Sequence, residues 1–248
     1  MLHGGLAQGD KACHTIARVS NRLTPVRTVT IGDDLAPSTV KPLLRGVTHE
    51  VAAFVFPVLG FVAIFIARTL GARFAVSTYV VGVTLMYATS ACYHRGHWAS
   101  EGKRRMRRLD HSMILVGIAS TYTPVAAVGL PAGTAWALLT SVWGLALAGV
   151  VVRNIWLTAP RWLTAAIYAV VGWTALAALP AMWSHLGVAV FVLVLTGGLV
   201  YSLGALVYSL RWPDPMPAVF GFHEVFHALV VVAGLVFYAA VLVVVIKA

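Results

Sequence analysis

The sequence predicts an all-α integral membrane protein: a seven-transmembrane helix bundle with its N-terminus cytoplasmic and its C-terminus outside. Three observations carry this. Of 248 residues, 60% are hydrophobic and only 10% are charged, more apolar surface than a soluble domain of that length needs. Seven long apolar stretches lie between Leu43 and Ile246, each near the roughly 20 residues that cross a bilayer core as a helix. The short alternating segments of a membrane barrel do not occur. Finally, the basic residues divide unequally. Fifteen of the 18 Lys and Arg fall on the N-terminal side and three, Arg68, Arg73 and Lys247, on the other, which sets the orientation by the positive-inside rule.

Taken in order, residues 1–40 lack an apolar core region, so they read as a flexible cytoplasmic tail rather than a secretory signal. Residues 41–248 form the membrane domain. Its spans are expected at 47–67, 74–94, 111–129, 134–152, 162–182, 187–209 and 221–246. The first opens on His49 and Glu50. The second ends in "YATSACYHRGH", whose Ala88, Ser90 and Ala91 suit close helix packing. The longest loop, "RGHWASEGKRRMRRL", follows, and its basic run reads as a topogenic, lipid-facing face. Span three opens on Asp110 and His111. Pro124 in span three and Pro180 in span five are expected to kink or end helices. Trp136, Trp162 and Trp183 lie near span ends as interfacial anchors. His97 and His185 are expected in loops. The seventh span opens on "FGFHEVFH".

The formal charge of +10 would suggest nucleic acid on a soluble protein. Here the basic residues flank apolar spans, so anionic lipid headgroups account for them and a nucleic-acid partner is not expected. Cys13 and Cys92 form no disulfide framework and no C-x-x-C pair. No acid lies between His111 and Pro213, which excludes a midplane proton wire or voltage sensor.

The polar residues instead gather at helix ends. By the orientation above, Ser90 and His94, Asp110 and His111, His223 and His227, and His49 with Glu50 all lie at the cytoplasmic end. His223 and His227 are spaced i, i+4, so both project from one helix face. With His94 they supply a three-nitrogen tripod for Zn2+. Zinc with three protein ligands keeps a fourth position for water and lowers that water's pKa toward about 7. Asp110 can hydrogen-bond that water or a ligand histidine, and Ser90 can donate to a developing oxyanion. The bland alternatives are a structural histidine pair and a packing serine. His111 reads as interfacial. His49 supports the ligands or meets headgroups.

The string His223–His227 also reads H-E-x-x-H, the zinc-protease signature with Glu224 as base. The extended pattern fails, because Val230 and Ala233 stand where Gly and His are required. Glu224 also lies about 100° around the helix from His223.

The ordered set of Ser90…His94, Asp110 and His223…His227, with "KPLLRGVTHEVAAF", "MYATSACYHR", "RRLDHSMILVGIASTYTP" and "GFHEVFHALVVVA", resembles the hemolysin III-related proteins of the progestin and adipoQ receptor family. The resemblance covers roughly 41–248. It implies seven helices, zinc on His94, His223 and His227, and supporting roles for Ser90 and Asp110. The wider superfamily includes alkaline ceramidases, which implies hydrolysis of a lipid-like amide or ester, with Ser90 and Asp110 as catalytic residues and membrane lipids as partners. It also implies a multi-pass cell-membrane location, bacterial in type. The competing expectations are a non-enzymatic membrane-state sensor or cytolytic protein with structural zinc, and an intramembrane metalloprotease.

Overall fold

The computed structural model describes residues 41–156 and 158–248; the expected tail, 1–40, lies outside them. Among the described residues are eight α-helices and one 3₁₀ segment. These make seven passages long and apolar enough to cross a membrane. They are α1 (Val47–Ile66), α2 (Leu70–Arg95), α3 (Ser100–Gly129), α4 (Ala132–Ile155), α5 (Arg161–Gly172) continued by a 3₁₀ turn (Trp173–Ala178) and α6 (Leu179–Leu186), then α7 (Val188–Leu210) and α8 (Phe222–Lys247). The protein is a seven-helix membrane bundle, as composition predicts. Large apolar side chains such as Phe54, Phe61, Phe65 and Phe74 point outward, which suits a lipid solvent rather than water.

The core sits where α2, α3 and α8 meet, lined by Tyr79, Val83, Tyr87, Leu115, Ala119 and Val230. In hydrocarbon the hydrophobic effect does not press helices together, so close approach of small residues and interhelical hydrogen bonds must do it. Both occur here. A Cβ on Gly82 would lie 2.5 Å from Ser120 Cβ, and one on Gly234 would lie 2.4 Å from Tyr87 Oη. Tyr87 donates to the Val230 carbonyl at 3.3 Å and Tyr238 donates to the Leu59 carbonyl at 2.8 Å. These contacts lock α8 against α1 and α2, which fixes the relative position of the histidines that the two helices carry.

Two spans differ from expectation. Helix α3 starts at Ser100, so most of the basic stretch expected as loop is helical. An apolar window cannot see such an extension, because its residues are charged. Local physics supports it nonetheless. Glu101 in the first turn pairs with Arg104 at i+3 and with Arg105 at i+4, both helix-stabilising spacings. Pro124 lies inside α3 without ending it.

The fifth span is interrupted. Six residues, Trp173–Ala178, turn as a 3₁₀ helix, and Pro180 sits in the first turn of α6. Backbone groups freed by such a break inside a membrane need partners. Tyr122 supplies them: its hydroxyl donates to the Gly172 carbonyl and accepts from Ala175 N at 3.0 Å. A small apolar cavity adjoins the break, walled by Trp173, Leu179, Val194 and Phe237. Tyr122→Phe is expected to lower stability in detergent by about 1–3 kcal/mol, the cost of a buried donor left unmet. Fluorescence-monitored thermal unfolding checks this, and an unchanged midpoint would mean the break is satisfied another way. His185, expected in a loop, occupies the last turn of α6, within 3.0 Å of the Ala181 carbonyl.

Candidate metal centre

Gly221 caps the start of helix α8, and the helix's first turn is held from several directions. Glu224 Oε2 accepts from Gly221 N at 2.9 Å, and Asp214 Oδ1 accepts from Phe222 N at 2.8 Å. Carboxylates at a helix N-terminus satisfy its free amides and its dipole. The other oxygen of Glu224 lies 2.5 Å from Arg45 Nε, and the Glu224 side chain is wholly buried. The Arg45 Nε–H is not aimed along that line, so the contact is an ion pair rather than a directed hydrogen bond.

Arg45 belongs to a strap preceding α1. Leu43 N donates to the Ala218 carbonyl and Leu44 N to the Val219 carbonyl, each at 3.0 Å, so the strap is stitched to the loop before α8. Gly46 ends it in the left-handed region, φ 81°. A Cβ there would lie 2.8 Å from His94 Cβ, so only glycine lets the strap close over α2. Lys41, at the strap's start, has its pKa lowered by partial burial and then by Arg45, Arg95 and Lys103.

With α8 and the strap fixed, three predicted ligands converge. His94 from the end of α2 and His223 and His227 from the start of α8 bring one ring nitrogen each to within 4.8 Å of the others. His94 Nε2 and His223 Nε2 are 3.3 Å apart. Two ligands on one tetrahedral zinc, at bonds of 2.0–2.1 Å, are separated by about 3.3–3.4 Å. The three rings are mutually inclined by 61°, 63° and 70°. Such a pinwheel lets in-plane lone pairs point at a common centre. His227 is buried and its Nδ1 has no hydrogen-bond partner. Donor type, number, separation and inclination all fit zinc.

His49 lies on top of this cluster. It is 4% exposed and stacks on His227 with centroids 3.9 Å apart and planes within 3°. Headgroup contact is therefore ruled out for it. An ion bound in the plane of one stacked ring lies well outside the plane of the other. His49 and His227 thus cannot share a metal in this arrangement.

The remaining candidates sit at the same end of the bundle, outside the nitrogen cluster. Ser90 is buried on α2, one turn before His94, and Asp110 is buried on α3. Asp110 falls within electrostatic range of Tyr168 on α5. His111, expected as interfacial, is partly buried and faces α4. Its Nδ1 lies 2.6 Å from Nη2 of Arg153, a fully buried arginine that also donates to Thr164. A guanidinium only donates, so His111 Nδ1 accepts and its proton resides on Nε2. Sequence reasoning missed this cluster, because Arg153 at a span end reads only as an orientation signal.

Glu224 is spoken for by Arg45 and Gly221, which removes it as a free general base beside the histidines. The H-E-x-x-H string therefore combines two ligand candidates with one structural carboxylate.

The chain is similar to known proteins. The profile of the family described as Haemolysin-III related matches residues 38–238. The Hemolysin-3 homolog of Bacillus subtilis (strain 168) is 32% identical over 169 residues, covering 67% of this chain and 79% of that protein. Hemolysin-3 of Bacillus cereus is 30% identical over 169 residues, covering 67% of this chain and 77% of that protein. No solved structure matches.

Proposed function

The chain belongs to the haemolysin-III related family, and from that premise we propose that it is a membrane-embedded zinc-dependent hydrolase acting on a lipid-like amide or ester. The observation that carries this reading is the convergence of His94, His223 and His227, from two helices distant in sequence, on one point. Zinc, when bound there, supplies Lewis acidity that acidifies water and polarises a carbonyl. Three neutral imidazoles leave its full positive charge undiminished, which suits that role better than a carboxylate-rich set.

The chain's own groups divide the remaining work. Ser90 is placed one turn below His94, where its hydroxyl donates to the oxygen that gains negative charge as the acyl carbonyl is attacked. Asp110 takes up and returns the proton. A site set among packed helices limits bulk water, which strengthens each of these interactions. The cytoplasmic end is the side of attack, by the distribution of basic residues.

The test uses purified protein in mild detergent, presented with long-chain amides and esters. Ser90→Ala and Asp110→Asn are expected to keep zinc at the wild-type level while turnover falls by about 100-fold or more. Full turnover in both variants would refute catalysis through these residues. Zinc retention with no turnover by the wild type on any acyl substrate would leave a structural metal in a non-enzymatic membrane protein.

A further inference from the structure

We propose that His49 is the residue that hydrogen-bonds the oxygen, of water or of an acyl carbonyl, that enters between the three histidines. The inference rests on the metal-centre reading above and adds a fourth histidine to its working parts.

The starting point is a deficit. His49 is 4% exposed, and neither of its ring nitrogens has a hydrogen-bond partner. It approaches the main chain of His227 without reaching hydrogen-bonding geometry. An imidazole always carries at least one N–H, and leaving a buried donor or acceptor unmet costs about 1–3 kcal/mol per group. An apolar side chain at this buried position would carry no such deficit. A buried polar side chain with no protein partner points to a partner that is not protein.

Geometry says where that partner sits. The ring is held on two sides, stacked on His227 at 3.9 Å and edge-on to Tyr87 with centroids 5.0 Å apart. It is within electrostatic range of His94, His223 and His227 together. The parallel stack prevents it from becoming a ligand of an ion that His227 holds. A residue that borders the ligand set, cannot join it and carries unspent hydrogen-bonding capacity is suited to whatever fills the open coordination position. Imidazole also suits both occupants. It accepts a hydrogen bond from water through one nitrogen and donates to a carbonyl oxygen through the other.

Cobalt substitution gives a readout that does not depend on turnover. Wild type, His49→Phe and His49→Gln are loaded with Co2+, metal content is measured by mass spectrometry, and acetohydroxamate is titrated while the cobalt visible absorption is followed. Acetohydroxamate presents carbonyl and hydroxamate oxygens to the metal. All three proteins are expected to hold about one cobalt per chain. His49→Phe is expected to bind the probe about 10-fold more weakly, the value of one lost hydrogen bond, and His49→Gln to stay close to wild type. Equal affinity in His49→Phe would overturn the proposal. Loss of cobalt from both variants would also overturn it, by making His49 a support for the ligands. If His49→Phe does not fold, His49→Leu takes its place in the comparison. A wild type that binds no cobalt or zinc refutes the metal centre itself, a failure distinct from that of His49.

Discussion

Alanine at His94, at His223 or at His227 is expected to reduce bound zinc from about one equivalent per chain to the background of the measurement. The three rings contribute one nitrogen each to a site spanning α2 and α8. Removing one leaves two, too few to hold a structural or catalytic zinc against detergent, buffer and competing ligands. Mass spectrometry of protein purified without affinity-tag histidines reads the result. The effect must be the same from either helix. Zinc that survives His94→Ala but not the α8 variants would mean that α8 alone forms the site and that the convergence with α2 is incidental.

The second large effect concerns stability, and it separates two roles for one residue. Glu224→Ala is expected to destabilise the fold by about 3 kcal/mol or more, because a fully buried carboxylate paired with Arg45 is removed and the guanidinium is left without its counter-charge. The cap on Gly221 N is lost in the same step. Glu224→Gln keeps the carbonyl oxygen for the cap and is expected to cost less. Adding Arg45→Leu to Glu224→Gln should recover part of the loss, since the uncompensated charge goes with it. Thermal unfolding of the single and double variants closes this cycle. A protease-type general base would behave differently: Glu224→Gln would unfold like wild type and lose only turnover.

Much of the fold was legible because hydrocarbon is a demanding solvent. Twenty apolar residues in a row have few other structures open to them, and every span was placed from that fact alone. The misses came where membrane logic stops applying. Charge conceals the helical start of α3, and no sequence feature announces that Trp173–Ala178 tightens into a 3₁₀ turn, since the compensating hydroxyl of Tyr122 lies about fifty residues earlier. The convergence of the three histidines was legible because i, i+4 spacing and a shared membrane depth are properties of sequence and topology. The environment of the trio was not. That His49 stacks on His227, or that Arg45 reaches Glu224, depends on how the strap crosses the bundle, and a strap hydrogen-bonded through its backbone leaves no mark on side-chain patterns. The same holds for His111 and Arg153, which are 42 residues apart and meet only through the packing of α3 on α4.

The three histidines also carry a consequence for how the molecule is made. His94 and His223 are 129 residues apart, and the strap that crowns them joins residues before the first helix to the loop before the last. A chain emerging from the ribosome inserts its helices one after another, and contacts of long sequence separation are the last to form. Until α8 has entered the bilayer, two of the three nitrogens do not exist in the membrane and the strap has nothing to close upon. A nascent or truncated chain therefore presents at most one imidazole of the set. On the proposed reading, metal uptake then records that synthesis and insertion have finished.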